Sequence, residues 1–331
     1  MKFKPLLFFM LIAALYGQWA LWSNPSLPVG EADKGIGAPK GKAYYGIQLQ
    51  SSIIDWWHDP IDSNEPFKHS GKLNTVLINP KIIYGLSNNI NLALSTQIGI
   101  RSMVWDQKGS SIHHRTETTL ESFSNAQPGW LGDSKIILRY LAKNDGMGEG
   151  LRAIFGGGLS IPSSSVLTSD PFFLQGGKKT EHRHFSLSTG SYKYIFESQL
   201  FFKRSINPLF FGGFLIYEYP IKENKFNYLS PPILNLSLSA TFKRFDKRDS
   251  SVGYGVGILQ SGNGYWNGIK EPNSSSLSIA PTVSYLVNSQ IGALSFNISK
   301  PFYVKGALNN NESDIGQGSD IWQFSISVRR I

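Results

Sequence analysis

Cysteine is absent from the 331 residues. That excludes a disulfide framework, a thiolate metal site, a Cys nucleophile and a lipidated N-terminal Cys. Charged residues are scarce, 17% against 41% apolar, and so few charges do not keep a chain disordered. Mean hydropathy is nevertheless only −0.16, too polar for a bundle of membrane helices. Runs with helical periodicity are also scarce. What the chain has instead is 33 glycines, 13% aromatic residues and abundant Ser and Asn, the mixture of many strands joined by turns. Lys and Arg (32) outnumber Asp and Glu (23), giving +9, so a surface or a lumen is basic. Without disulfide staples, an exported chain of this kind needs a large fold.

The N-terminus reads as an export signal. Lys2 and Lys4 give a short positive region, and Leu6 to Tyr16 an apolar core of the length a signal peptide uses. Cleavage after Gly17 or after Ser23 sets residues 1–23 as the signal peptide. Gln18 interrupts the run before it reaches the roughly 20 apolar residues of a spanning helix. Residues 24–41 (NPSLPVGEADKGIGAPKG) have no period and are expected to be a flexible periplasmic leader. Residues 42–331 form the rest.

From residue 42 onward the hydrophobic period is two. In Ile90 to Arg101, Ile90, Leu92, Leu94, Ile98 and Ile100 share one face, and Asn91, Ala93, Ser95, Gln97 and Gly99 the other. A pleated strand sends successive side chains to opposite faces, so one side is apolar and the other small or polar. The same alternation marks about twelve strands, near 43–57, 72–86, 90–103, 133–143, 150–162, 190–204, 208–220, 232–244, 250–262, 274–287, 290–303 and 319–331. Pro80 and Pro281 fall inside strands, where each removes a ladder donor, and are expected to mark bulges.

Alternation alone fits a soluble sandwich as well as a membrane barrel. Three features separate them. The segments run about 11–15 residues, whereas soluble strands centre on about 5–6 and a tilted membrane strand needs about 9–11. The connections alternate between tight turns and longer loops, the longest near 104–132 and 163–189, as in outer-membrane barrels. On the outward face near the tight-turn end stand Tyr45, Tyr84, Tyr140, Phe202, Phe211, Phe242, Tyr254 and Tyr285, with Trp57, Tyr192, Tyr217, Tyr219 and Trp322 at the other end. Aromatic belts at two heights belong to lipid–water boundaries. The expected fold class is therefore all-β, a transmembrane antiparallel up-and-down barrel in the outer membrane of a Gram-negative bacterium.

The inward positions carry Lys81, Arg139, Arg152, Lys193, Glu197, Lys203, Lys243 and Arg329, the candidate lumen or constriction residues. All of these cations except Lys193 are expected near the tight-turn mouth, where a positive constriction favours anions. Alternatively such charges hold water and each other, with Glu197 pairing to Lys193. Gly156, Gly158, Gly253, Gly255 and Gly257 leave room inside.

Catalytic signals are weak. His184 and Ser186 share a strand side near the outer rim, as in a lipid hydrolase, but spacing identifies no group to orient the base. His113, His114, His182 and His184 lie in long loops, where histidines are more often solvated than metal-bound. No phosphate-binding glycine loop precedes a helix, and nothing supports nucleic acid. No catalytic residue, metal or cofactor is assigned.

Several stretches resemble the outer-membrane barrels grouped as the MetA-pathway of phenol degradation family. They are PKIIYGLSNNINLAL at Pro80 to Leu94, GDSKIILRYLA at Gly132 to Ala142 with GGGLSIP at Gly156 to Pro162, and STGSYKYIFESQLFF at Ser188 to Phe202. A fourth, SSSLSIAPTVSYLVNSQIGALSFNISKPFYVKG, runs from Ser274 to Gly306. The matching motifs are structural and include no catalytic residue. The resemblance implies a barrel that passes small, often aromatic or hydrophobic, molecules. Two departures stand out: the fifth strand ends LSIPSS rather than GLPTG-like, and the chain ends Arg330-Ile331 rather than on the aromatic that assembly machinery reads. The expectation is a passive channel for small aromatic, hydrophobic or anionic solutes. The expected partners are outer-membrane lipid and lipopolysaccharide, the solute, and the barrel-assembly machinery during biogenesis. A lipid hydrolase and a closed structural or adhesive barrel are the alternatives.

Overall fold

Alternating apolar and polar side chains satisfy a strand in lipid only if every backbone group finds a neighbour, and a closed ring leaves no edge. The computed structural model shows that ring. It describes residues 34–35, 37–60, 68–106, 118–122, 125–144, 148–171, 186–243, 250–271, 274–306 and 316–330. The staves are β1 Ala43–His58, β2 His69–Gly85, β3 Ile90–Trp105, β4 Leu131–Asn144, β5 Gly150–Ile161 and β6 Lys193–Lys203. They continue as β7 Phe210–Pro220, β8 Ile233–Lys243, β9 Ser250–Ser261, β10 Ser276–Ser289, β11 Gly292–Ser299 extended by Phe302–Gly306, and β12 Gln317–Arg330. Each pairs antiparallel with its sequence neighbours, and β12 closes on β1 from Tyr45↔Arg330 to His58↔Gln317. Among the described residues the one helical element is a 3-10 turn at Leu120–Ser122.

The expected strands are all present, with ends displaced by a few residues. The tight turn expected at Asn288–Ser289 lies instead just beyond Ser289, where Gly292 adopts φ 128°. A side chain there would strike the Arg329 carbonyl oxygen, 2.3 Å from an added Cβ. The two prolines are not bulges. β1 pairs through Ile47↔Pro80 and β9 through Val256↔Pro281 without a shift of register. Proline removes a donor without lengthening the strand, so each leaves a gap in one ladder only. Opposite Pro281, β11 breaks at Lys300–Pro301, and the Lys300 amide still donates to the Pro281 carbonyl at 3.1 Å. The register shifts lie elsewhere, between Thr96 and Ile98, Leu141 and Lys143, and Leu277 and Ser278.

The apolar faces look outward. Ile47, Leu49, Ile100, Leu138, Phe196, Leu200, Leu238, Val283 and Ile326 are exposed, an arrangement stable in hydrocarbon and not in water. Of the tight-turn aromatics, Tyr45, Tyr84, Tyr140, Phe202, Phe211 and Tyr254 are exposed on that surface. Phe242 and Tyr285 are half-buried beside neighbours, Phe242 edge-on to Tyr254 at 6.0 Å.

The interior is unequal around the ring. Beneath β2–β7, below the outer rim, it is packed with one apolar cluster of Ile83, Ala93, Ile137 and Ile195 about Ala38 and another of Phe201, Phe210 and Phe214. Beneath β8–β12 and β1 it is lined by small polar side chains and holds a cavity. The long loops add short ladders at the outer rim, Ala126–Gln127 with Val166–Leu167 and Tyr228–Leu229 with Tyr265–Trp266, the latter with Ile269–Lys270. They bring Leu120, Leu167 and Trp266 onto Met103, beside Trp56 and Trp105, and form an apolar cap inside the mouth.

Candidate functional site: the barrel interior

β3, β4, β5 and β6 place Asn91, Arg139, Gly156 and Glu197 opposite one another in a single row. Because the third of these has no side chain, Arg139 reaches across β5 to Glu197. An added Cβ at Gly156 would lie 3.2 Å from a Glu197 carboxylate oxygen and 2.9 Å from Ile137. The pair is forked: Arg139 Nε donates to Oε2 at 2.7 Å and Nη2 to Oε1 at 3.0 Å. The Gln199 amide donates to Oε1 at 2.8 Å. Arg139 and Glu197 are 1% and 4% exposed, and only this geometry of matched forks makes such burial tolerable.

A third group completes the cluster, and it comes from the N-terminal leader. Lys34, buried, sets its ammonium 3.4 Å from Glu197 Oε1 and 5.0 Å from the centre of the Phe214 ring. The Gly35 amide donates to Gln199 Oε1 at 2.7 Å. Asn91 clamps Ala38 from both sides, its oxygen accepting from the Ala38 amide and its amide donating to the Ala38 carbonyl, each at 2.9 Å. The strap leaves the lumen over Gly85, where an added Cβ would lie 2.1 Å from the Pro39 carbonyl oxygen. Gly85 also holds the strap by its backbone, accepting from Gly41 and donating to Lys42. The stretch expected to be a flexible leader thus has Lys34, Gly35 and Ala38 buried inside the barrel, with Pro39 and Lys40 exposed where it leaves. Residues 24–33, the signal peptide, the four loop histidines and Ile331 lie outside the described residues.

The predicted cations therefore divide. Arg139 leaves the mouth for the central cluster. Glu197 meets Arg139, Gln199 and Lys34 rather than the expected Lys193, which stands four residues along the same strand, about 13 Å away at the usual rise. At the tight-turn mouth, Arg152 is buried, donates to the Gly148 carbonyl at 3.1 Å and lies 5.8 Å from the Phe210 ring. Lys203 senses Arg152 and Glu149 electrostatically. Arg329 is buried beside Tyr44, Lys81 is half-buried and Lys243 exposed.

At the long-loop end lies a vestibule of about 340 Å³. The small inward residues Gly156, Gly158 and Ser160 of β5 again let a β4 cation cross, and Lys135 forms an ion pair with Glu218 of β7. Lys193, Asp133, Arg101 and Glu271 also line this space, beneath Tyr228, Trp266 and Leu167 of the cap. Sequence reasoning missed the vestibule because its roof is built by loop residues with no periodic signature. A second space, about 290 Å³, runs along β8–β12 and β1. Its wall is mainly Gln48, Gln50, Asn235, Ser237, Ser239, Thr241, Thr282, Ser284, Asn297, Ser299, Gln323 and Ser325, with Gly253 and Gly255 and the apolar Phe214 and Leu286, and it carries no charge. Neighbouring groups bond to one another, Ser284 to Asn297 at 2.6 Å and Asn297 to Ser325 at 3.0 Å.

Among the described residues no three His, Asp or Glu side chains are placed to hold a metal ion. No family model matches the chain, and no curated protein matches its sequence. Among solved structures it is similar to an outer-membrane channel from Pseudomonas putida F1, with a TM-score of 0.56 and 11% identity over 91% of this chain and 100% of that one. The TodX monoaromatic hydrocarbon channel follows at 0.42 and 9% identity, over 88% and 90% of the two chains. The NanC porin follows at 0.38 and 9%, over 84% and 98%. At such identities the likeness to the first is one of fold, and the other two carry no argument. The fold it supports is the one the exterior demands: this chain is a closed antiparallel β-barrel of the outer-membrane type.

Proposed function

We propose that the barrel is a passive outer-membrane channel for small molecules of no net charge, akin to the phenol-degradation barrels its turns resemble. One observation carries this reading: the lumen is filled on one side only, and the open side is walled by hydroxyls, amides and glycines. Such a wall offers hydrogen bonds to a neutral solute but no counter-charge to a bare ion, whose desolvation is then uncompensated. The cations at the tight-turn mouth attract anions to the entrance; they do not line the passage. Arg139, which would have made the constriction positive, is neutralised by Glu197.

The test is solute flux through refolded protein in liposomes, with planar-bilayer recording alongside. Small uncharged solutes are expected to enter faster than carboxylates of equal size, and ion conductance to be small. A strongly anion-selective current would refute the neutral passage. No flux and no current, even after deletion of the leader and the long loops, would refute the channel and leave the closed structural barrel.

A further inference from the structure

We infer that the outer vestibule is a binding site for a small zwitterion with an apolar side chain, an amino-acid-like solute held before it enters the lumen. The inference rests on the channel reading for its purpose, though not for its chemistry. Lys193 points to it first. Its side chain is 4% exposed, it lines the vestibule, and among the described residues it has no ion pair or hydrogen bond. Asp133 and Glu218 act on it only from a distance. Their oxygens are engaged elsewhere, Asp133 with Ser188 and Glu218 with Lys135. The ammonium opens onto the vestibule and can donate charge-assisted hydrogen bonds to a ligand carboxylate there.

The charge balance then selects the ligand. The lining cations Arg101, Lys135 and Lys193 equal in number the lining acids Asp133, Glu218 and Glu271. A bare carboxylate would bring uncompensated negative charge into this enclosed space, beside two acids that repel it. A ligand ammonium facing Asp133 or Glu218 restores the balance and turns those acids into attractors. Above this charged floor the roof is apolar: Trp266 is buried in the cap with Leu167, and Tyr228 stands 4.6 Å from it, ring centre to ring centre. Tyr228 is held by its hydroxyl to Glu271 at 3.0 Å. A hydrocarbon or phenyl side chain fits under it, and about 340 Å³ lies within the range of small-ligand pockets.

Isothermal titration of the full chain, refolded in detergent, tests the site with L-phenylalanine, benzoate and phenethylamine as probes. Saturable binding of phenylalanine is expected, with each singly charged probe at least tenfold weaker. Lys193→Met should weaken phenylalanine at least tenfold, and Lys193→Arg should keep most of the affinity. Ile233→Trp, which fills the cavity from β8 beside Glu218 without removing a charged group, should abolish binding while the barrel keeps its heat-modifiable migration. Benzoate binding as tightly as phenylalanine, Lys193→Met binding like wild type, or no phenylalanine binding at all would each overturn the proposal. Bilayer conductance separates the two claims: current without binding overturns the vestibule site alone, and binding without current or flux overturns the channel alone.

Discussion

Glu197→Gln should loosen the leader from the barrel. In the native cluster one carboxylate serves two buried cations, Arg139 on β4 and Lys34 on the leader. Replacing it by an amide leaves both cations facing a neutral group in a water-poor interior. Removing one partner of a buried ion pair costs about 3–5 kcal/mol. Arg139 is built into the wall and cannot escape this cost; Lys34 can, by leaving. If roughly 2 kcal/mol of the penalty is relieved when Lys34 withdraws, the ratio of released to docked leader rises about 30-fold. The Asn91–Ala38 clamp and the Gly35–Gln199 bond still hold the strap, each contributing about 1 kcal/mol, so release remains partial. The absence of cysteine makes the assay clean. Ala38→Cys, at a position 1% exposed, is then the sole thiol, and its labelling rate by a small maleimide reports the released leader. Labelling and single-channel current should both rise in Glu197→Gln, and Lys34→Met added to it should return both toward the parent, because the repelled charge is gone. Unchanged labelling in a Glu197→Gln barrel that still migrates as folded would refute the argument.

The wall makes further claims. Gly156→Val should block the Arg139–Glu197 fork and lower the urea midpoint of refolded barrel, with a loss of about 3 kcal/mol or more. Gly157→Val, on the outward face with open space around it, should be nearly neutral in the same titration. Leu238→Arg, at an outward site 50% exposed, should destabilise the barrel in lipid by about 2–4 kcal/mol. Ser237→Arg, next to it but lining the cavity, should cost much less and make the current more anion-selective. Ser237→Trp should reduce neutral-solute flux several-fold without changing unfolding.

The contrast between Leu238 and Ser237 also shows how far a sequence of this class can be read. In a pleated strand, facing is decided by parity alone, so Leu234, Leu236 and Leu238 against Asn235, Ser237 and Ser239 disclose which residues meet lipid before any coordinates exist. Closure follows, because a strand that long with one apolar face has no other solution in hydrocarbon. Parity does not say which inward residues meet. Arg139 reaches Glu197 because one strand separates them and the residue between is Gly156, a fact of inter-strand register. Counting charges along single strands pairs Glu197 with Lys193, its neighbour on the same face, and misses the partner lying beyond the adjacent strand.

The leader was illegible for a related reason. NPSLPVGEADKGIGAPKG has no period to read, and what its described residues Lys34, Gly35 and Ala38 fit is the wall. Gly37, where an added Cβ would lie 2.0 Å from Leu141, and Gly85, where one would lie 2.1 Å from the Pro39 carbonyl oxygen, are two halves of one contact separated by tens of residues. Lys34 likewise supplies the positive charge that Glu197, already forked to Arg139, attracts with its remaining lone pairs. The low charge content acquires meaning here. A lumen with many inward charges would hold water and stay open, whereas here Arg139, Glu197 and Lys34 are drawn into one cluster on one side, and the cavity along the other side has no charged residue in its wall. On the proposed channel reading a solute moves along that side, and selectivity is then set less by the basic mouth than by the mainly polar wall of the cavity.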